Sequence, residues 1–282
     1  MLLGTLLNEE YLNLDLDGFI FGNKKYAVRL TASFDITLYS SLVSKIHSMN
    51  KKAYVYVNKL FTEFELNGLE EHLLFLKEIN VDGIYFSDMA VYQIAKRNNF
   101  TSLLIYHPDT LSVNSYDARV MKNLGVQSVV LSKDITLENL CMIGDKLPSY
   151  LQVLSYGHFP LFYSKRKLIR NYFDYYNIDP SPYLENTSLK VKENTRVEHY
   201  PIYQDDNGTI MYSDKKLNYA AYLYEIKNHH IDTFIMDFIF DDYENASNMI
   251  ELYRKAINEK LDYKIDETKY CLGYLFRKTN LR

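Results

Sequence analysis

Only two cysteines occur in the 282 residues, Cys141 and Cys271, far apart and in apolar surroundings. Neither belongs to a C-x-x-C pair or has a histidine at ligand spacing, so a finger-type zinc site is excluded and both read as reduced structural thiols. No glycine-rich phosphate fingerprint follows any strand signal, which argues against a dinucleotide-binding sheet and for a closed or nearly closed barrel. The histidines, His47, His72, His107, His158, His199, His229 and His230, include no H-E-x-x-H helix. A charged-then-apolar leader is missing too, because Met1 to Leu7 is interrupted by Gly4 and followed by Asn8, Glu9 and Glu10. No apolar run reaches about 18 residues. These absences predict a cytoplasmic chain with no membrane span.

What is present is a large apolar fraction, 47%, enough to bury a sizeable core. Short apolar runs recur near 18–21, 53–57, 83–86, 103–106, 128–131, 151–155 and 232–237, most of them stopping at a polar residue. Helical periodicity fills the gaps, over about 36–50, 65–79, 112–124, 136–146, 216–228 and 242–258. That is the βαβ rhythm of a parallel sheet, and it predicts a single TIM-barrel-like (β/α) barrel spanning residues 1–282. Ala27 to Leu30 reads as a further strand or an extension of the first. Residues 177–195 leave the pattern as an excursion, and residues 196–212, with Asn207-Gly208 at the turn, read as an inserted β-hairpin in the C-terminal third.

The net charge of −4 gives no general affinity for polyanions, yet one stretch is locally basic. Lys165, Arg166, Lys167 and Arg170 directly follow the run ending at Gly157-His158, interleaved with Tyr163, Tyr172, Tyr175 and Tyr176. In a parallel barrel the loops leaving the strands converge at one rim and carry the working residues. Asn58, Asp88, His107, Asp109, Lys133 and His158 each fall within a few positions of a strand end, and Asp237 ends the last strand. With Tyr163, Arg166, Lys167 and Asp205 they form the expected ligand-binding set for a polar anionic ligand. His158 and Asp237 are the candidate catalytic groups, and Asp205 is expected to close over the rim from the hairpin tip. Ser164 with His158 is a conceivable nucleophile and base, without the G-x-S-x-G elbow that would support it. A metal held by His107, His158 and Asp237 is geometrically conceivable but has no support from spacing, so none is predicted.

The segment with Gly157, Tyr163, Ser164 and Arg166 resembles the peptidase U32 family, the collagenase-like proteases. The similarity extends through Asp82-Gly83, the Gly125 to Lys133 stretch, Leu137-Glu138, Asn114, Tyr200-Pro201, Asp205, Gly208-Thr209, Tyr243, Tyr253-Arg254 and the basic tail from Gly273 to Thr279. Departures are informative. Pro160, Lys167 and Asn218 stand where many relatives carry cysteines that hold an iron–sulfur cluster, so the resemblance implies no cluster here. Where relatives end the last strand in Lys-Ile-Glu-Gly-Arg, this chain has Ile235, Met236, Asp237, Phe238 and Ile239, keeping only the acid. His107-Pro108-Asp109-Thr110 replaces a Ser-Thr-Gln run, as in a short branch of the family.

That branch implies a component of transfer-RNA wobble-uridine 5-hydroxylation, acting with a U32-family paralogue on tRNA and requiring prephenate. The alternative is a collagenase-like peptidase or other hydrolase of the same family. Without a redox centre of its own, the chain is expected to bind substrate or partner rather than to activate oxygen. Tyrosine faces beside basic groups are chemically suited to an unpaired base and a phosphate or carboxylate.

Overall fold

The computed structural model describes residues 1–277. Lys278 and Thr279 of the basic tail lie outside the described residues. The strands in chain order are β1 (Leu2–Thr5), β2 (Gly18–Gly22), β3 (Lys52–Val57), β4 (Gly83–Phe86), β5 (Leu104–Tyr106), β6 (Ser128–Leu131), β7 (Leu151–Gly157), β8 (Pro160–Ser164), β9 (Lys190–Val191), β10 (Tyr200–Asp205), β11 (Gly208–Tyr212), β12 (Lys216–Asn218), β13 (Thr233–Met236) and β14 (Tyr270–Cys271). The helices are α1 (Tyr39–Ser48), α2 (Leu66–Glu78), α3 (Met89–Arg97), α4 (Ser115–Asn123), α5 (Leu137–Lys146), α6 (Leu168–Tyr175), α7 (Leu223–Asn228) and α8 (Tyr243–Asn258). β1 to β7 and β13 pair in parallel, and β13 contacts both β1 and β7, so eight strands close into a TIM-like barrel.

Alternation along each strand sorts the side chains into two layers. On β3, Ala53, Val55 and Val57 join the large cluster under the helices, while Tyr54 and Tyr56 point inward with Leu3, Ile20, Tyr85, Ile105, Val130 and Ile235. The interior also holds a closed polar relay. Tyr85 Oη donates to Gln152 Oε1 at 2.7 Å, and Gln152 Nε2 donates to Ser128 Oγ at 2.7 Å, so these buried polar groups have partners where unpaired ones would be costly. Four of the helices start on side-chain caps: Asp88 for α3, Asn114 for α4, Thr136 for α5 and Asp242 for α8.

A second, antiparallel sheet in the order β8-β11-β10-β9 sits beside the C-terminal ends of the barrel strands. Its Tyr203, Ile210 and Tyr212 pack on Ile239 in the loop after β13. At the turn joining β10 and β11, Asn207 Nδ2 donates to Lys24 O at 2.7 Å and Ala27 O at 3.2 Å in the loop after β2. Gly208 is obligatory there: its φ is +140°, and a Cβ would meet Ser164 O at 2.1 Å.

Several expected elements differ. The inserted hairpin begins at Tyr200 rather than at 196, and Tyr163 and Ser164 belong to its third strand, β8. The excursion at 177–195 contributes β9 to the same sheet. Residues 216–228 are not one helix. Lys216–Asn218 form β12, which pairs antiparallel with the end of β7, a 3-10 turn follows at Ala220–Tyr222, and α-helix begins only at Leu223. Ala27 to Leu30 is loop, pinned by a bond from Val28 N to Asn58 Oδ1 at 2.9 Å. The stave β1 has no counterpart among the predicted strands. A single 3-10 turn, Glu9–Asn13, replaces a helix between it and β2. Among the described residues no helix is long and apolar enough to cross a membrane.

Candidate functional site

The strand ends bring one group of charged side chains into contact at the barrel mouth. Arg29, from the loop after β2, forms an ion pair with Asp109, from the loop after β5. Both residues have φ of +64°, the left-handed region that non-glycine residues enter only at a cost of about 1–3 kcal/mol each. His107 Nε2 stands 3.7 Å from Asp109 Oδ1, over a floor of Tyr56 and Tyr85. Asp237, at the end of β13, accepts from Thr5 Oγ1 at 3.1 Å and from Ile239 N at 3.2 Å. From the second sheet, Tyr212 closes the group, near enough that Arg29 and Asp237 both act on its phenol.

Electrostatics within the group follow from enclosure. Burial pushes the Asp237 carboxyl up to about 6, with Thr5, Ile239 and Arg29 pulling against it. Burial drives the His107 imidazole down to about 4, opposed by Asp109 and reinforced by Arg29 and Lys133. Burial also works against the Asp109 carboxylate, but Arg29 and then His107 outweigh it and hold the group below its ordinary value. At neutral pH the mouth therefore contains a charged pair, a neutral imidazole and an aspartate close to its own titration. The side chains are enclosed yet keep some solvent contact, with Arg29 11% and Asp109 33% exposed. His107 Nδ1 and Tyr212 Oη are buried without a hydrogen-bond partner. Leaving such an atom unpaired costs about 1–3 kcal/mol, and these two stand beside the charged pair.

The remaining predicted residues divide. Lys133 lies within electrostatic reach of His107 and Asp109, bonds to Asp134 at 3.3 Å and rests over the Phe159 ring. Asn58 and Asp88 are framework: Asn58 holds the Arg29 loop, and Asp88 accepts from Ala90 N and Phe61 N, both at 2.9 Å. Tyr163 Oη donates to Asn207 O at 2.8 Å and so supports the hairpin turn. Arg166 is exposed, and Lys167 pairs with Asp206 at 3.2 Å. Asp205 does not close over the rim; it is buried, accepts from Asn207 N at 2.8 Å, and burial raises its carboxyl. The rim contact belongs to Asn207 instead.

His158 turns away from the mouth. Its Nδ1 lies 2.7 Å from Ser213 O, an acceptor, so Nδ1 carries the proton and Nε2 the lone pair; burial brings this imidazole down to about 4. Ser164 Oγ accepts from Arg166 N at 3.2 Å, a turn contact, and no hydrogen bond joins Ser164 to His158. The nucleophile–base pair is not assembled. Gly157, between β7 and His158, has φ of +113° and lies so close to Asp237 O that a Cβ would sit at 2.1 Å.

Arg29, Thr5, Tyr56 and Tyr212 were not expected at the site. Arg29 sits in a loop and Tyr212 on a distant hairpin, and neither position carries a local signal of its partner. Tyr56 was legible as the last inward residue of β3.

The residues present do not fit an iron–sulfur cluster, which needs about four thiolates. Asn218 accepts from Ala220 N and is fully buried, Cys141 lies on α5, and Cys271 on β14. Burial raises both thiols, Cys141 to about 11. Among the described residues no three His, Cys, Asp or Glu groups are placed to hold a metal ion.

A closed α/β barrel with a polar cluster at the C-terminal ends of its strands, beside an added antiparallel sheet, defines a TIM-barrel-like protein. The chain belongs to Peptidase family U32, whose sequence profile matches residues 9–275. It is 28% identical over 242 residues to tRNA hydroxylation protein P2 of Bacillus subtilis, covering 85% of this chain and 78% of that one. It is 26% identical over 163 residues to tRNA hydroxylation protein P of Helicobacter pylori, covering 56% of this chain; here the chain spans only 38% of the longer relative. Among solved structures, the U32 peptidase Mk0906 superposes with a TM-score of 0.51 at 13% identity, covering 83% of this chain and 91% of that one, which is a likeness of fold.

Proposed function

We propose that this chain is a component of transfer-RNA hydroxylation. The observation that carries the reading is the similarity to tRNA hydroxylation protein P2, which runs through most of both chains. The mouth is chemically compatible. Arg29 and Lys133 supply donors, Asp237 can gain or lose a proton near neutral pH, and His107 Nδ1 and Tyr212 Oη await a polar partner. In this reading the barrel mouth binds and orients substrate. The finer elements, wobble uridine as the target, a U32-family paralogue as partner, prephenate as a required metabolite and no resident cluster, come from the family resemblance and are part of the proposal.

Peptidase chemistry is the weaker reading, because Ser164 and His158 are each committed elsewhere. The test is nucleoside mass spectrometry of tRNA from a strain lacking this chain. Loss of a hydroxylated nucleoside, restored by the wild-type chain and not by Arg29→Ala or Asp237→Asn, is the expected result. An unchanged nucleoside profile in the deletion strain, in a background without a second copy, would overturn the reading.

A further inference from the structure

A depression distinct from the mouth lies between the end of β7, β12, the approach to β14 and the first turn of α8. Its volume is about 290 Å³, and His158, Lys190, Asp214, Lys216, Asn245 and Lys269 are among its lining residues. We propose that this depression is a phosphate-binding site.

Three arguments converge on it. First, the charge is concentrated and comes from separate elements: Lys190 on β9, Lys216 on β12 and Lys269 just before β14, in a molecule whose net charge is −4. Lys216 is neutralised by the buried Asp241, whereas Lys190 and Lys269 have no ion pair among the described residues, and Asp214 is the only acid in the lining. Second, the two unpaired ammonium groups, Lys190 and Lys269, come from separate elements with the paired Lys216 beside them, and two cations suit a compact dianion such as phosphate better than a singly charged carboxylate. Third, the position is the one that barrel folds use. The depression opens beside the end of the seventh barrel strand and the segment after the eighth, where (β/α) barrels frequently bind phosphate. The α8 N-terminus is not itself the anchor, since Asp242 caps it by accepting from Asn245 N at 2.8 Å. Side chains hold the anion.

His158 reports on occupancy. Its protonation is disfavoured by burial and by Lys216 and Lys190 and favoured by Ser213 O and Asp214, while Phe240 covers its ring edge-on. A bound phosphate places negative charge beside the free Nε2 and raises the imidazole's affinity for a proton.

The inference stands whether or not the tRNA reading holds, because the first probe is inorganic phosphate. The whole chain is titrated with it at constant ionic strength while the His158 ring signal, assigned with His158→Gln, is followed by NMR. Wild type is expected to show a saturable shift, and Lys190→Gln/Lys269→Gln to need about tenfold more phosphate or more. No saturable shift in wild type, or saturation of the double variant at the wild-type concentration, would overturn the proposal. The source of the phosphate is separated by tRNA binding across a salt series. A log–log salt slope shallower by about one to two units in the double variant assigns the site to the RNA backbone. An unchanged slope beside lost phosphate binding assigns it to a small phosphorylated molecule.

Discussion

Asp237 is harder to ionise in the folded barrel than in the unfolded chain, and that asymmetry has a measurable sign. Its folded value is about 6 against an ordinary 3.8, so between these pH values the folded state holds more protons. Stability contributed through this group is therefore lost as pH rises from about 4 to 6, leaving a penalty on the order of 3 kcal/mol at neutral pH. Asparagine keeps the acceptor that Thr5 and Ile239 use and removes the charge. Asp237→Asn is expected to raise Tm at pH 7.5 and leave it nearly unchanged at pH 4. A lower Tm at pH 7.5 would show that the carboxylate is a structural anchor. A stabilised variant that no longer supports hydroxylation would be the pattern of a group kept for chemistry at the expense of stability.

The turn of the second sheet is fastened to the β2 loop by Asn207, and Lys24 of that loop also pairs with Glu185 at 2.7 Å beside β10. Asn207 makes two hydrogen bonds there through one amide nitrogen, and Tyr163 holds the same turn from below. Asn207→Ala should cost about 1–2 kcal/mol. It should speed amide exchange in β10, β11 and the loop around Lys24 while leaving the barrel strands protected; uniform exchange across the chain would mean that second sheet and barrel open together. How much of this was legible depended on period and length. β3 displayed inward tyrosines between outward aliphatics, and α8 displayed four turns of one face, so both could be read directly. β12 is three residues long and offers no period, so Lys216–Asn218 merged with the helix that follows. β1 contains Gly4 and is bounded by more leucine, which blurred its alternation. At the site, Asp109, His107 and Asp237 were readable as strand-end residues. The Arg29 contact was not, since an ion pair between loops 80 residues apart leaves no trace in either loop. His158 was placed at the correct edge, but side-chain direction is set by Ser213, in the loop after β11, which no local pattern links to it.

Across the whole molecule, acid should be the weak side. Burial lowers three imidazoles from 6.5, His72 to about 3 and His107 and His158 to about 4, so each is neutral when folded and protonated when unfolded over most of that interval. The raised carboxyls of Asp237, Asp205 and Asp241 oppose them. From the three imidazoles and Asp237, the unfolded chain near pH 5.5 binds about two more protons than the folded one, a slope on the order of 2–3 kcal/mol per pH unit. Stability from the imidazoles is complete above about pH 6.5 and lost as pH falls toward 4. Thermal melts should accordingly drop steeply between pH 6.5 and 5, and equal Tm values at pH 7 and 5 would contradict the assignment.

Barrel closure has a consequence for how the protein is made. Leu3 pairs with Ile235, and the seam that β1 shares with β13 cannot form until β13 has left the ribosome. Through most of translation the first stave therefore stands with one open edge, in an antechamber of half-built barrel whose tyrosine-lined interior faces water. A chain stalled or cut before residue 233 would present that edge permanently, and β13 acts as the hoop that lets the vessel hold its shape.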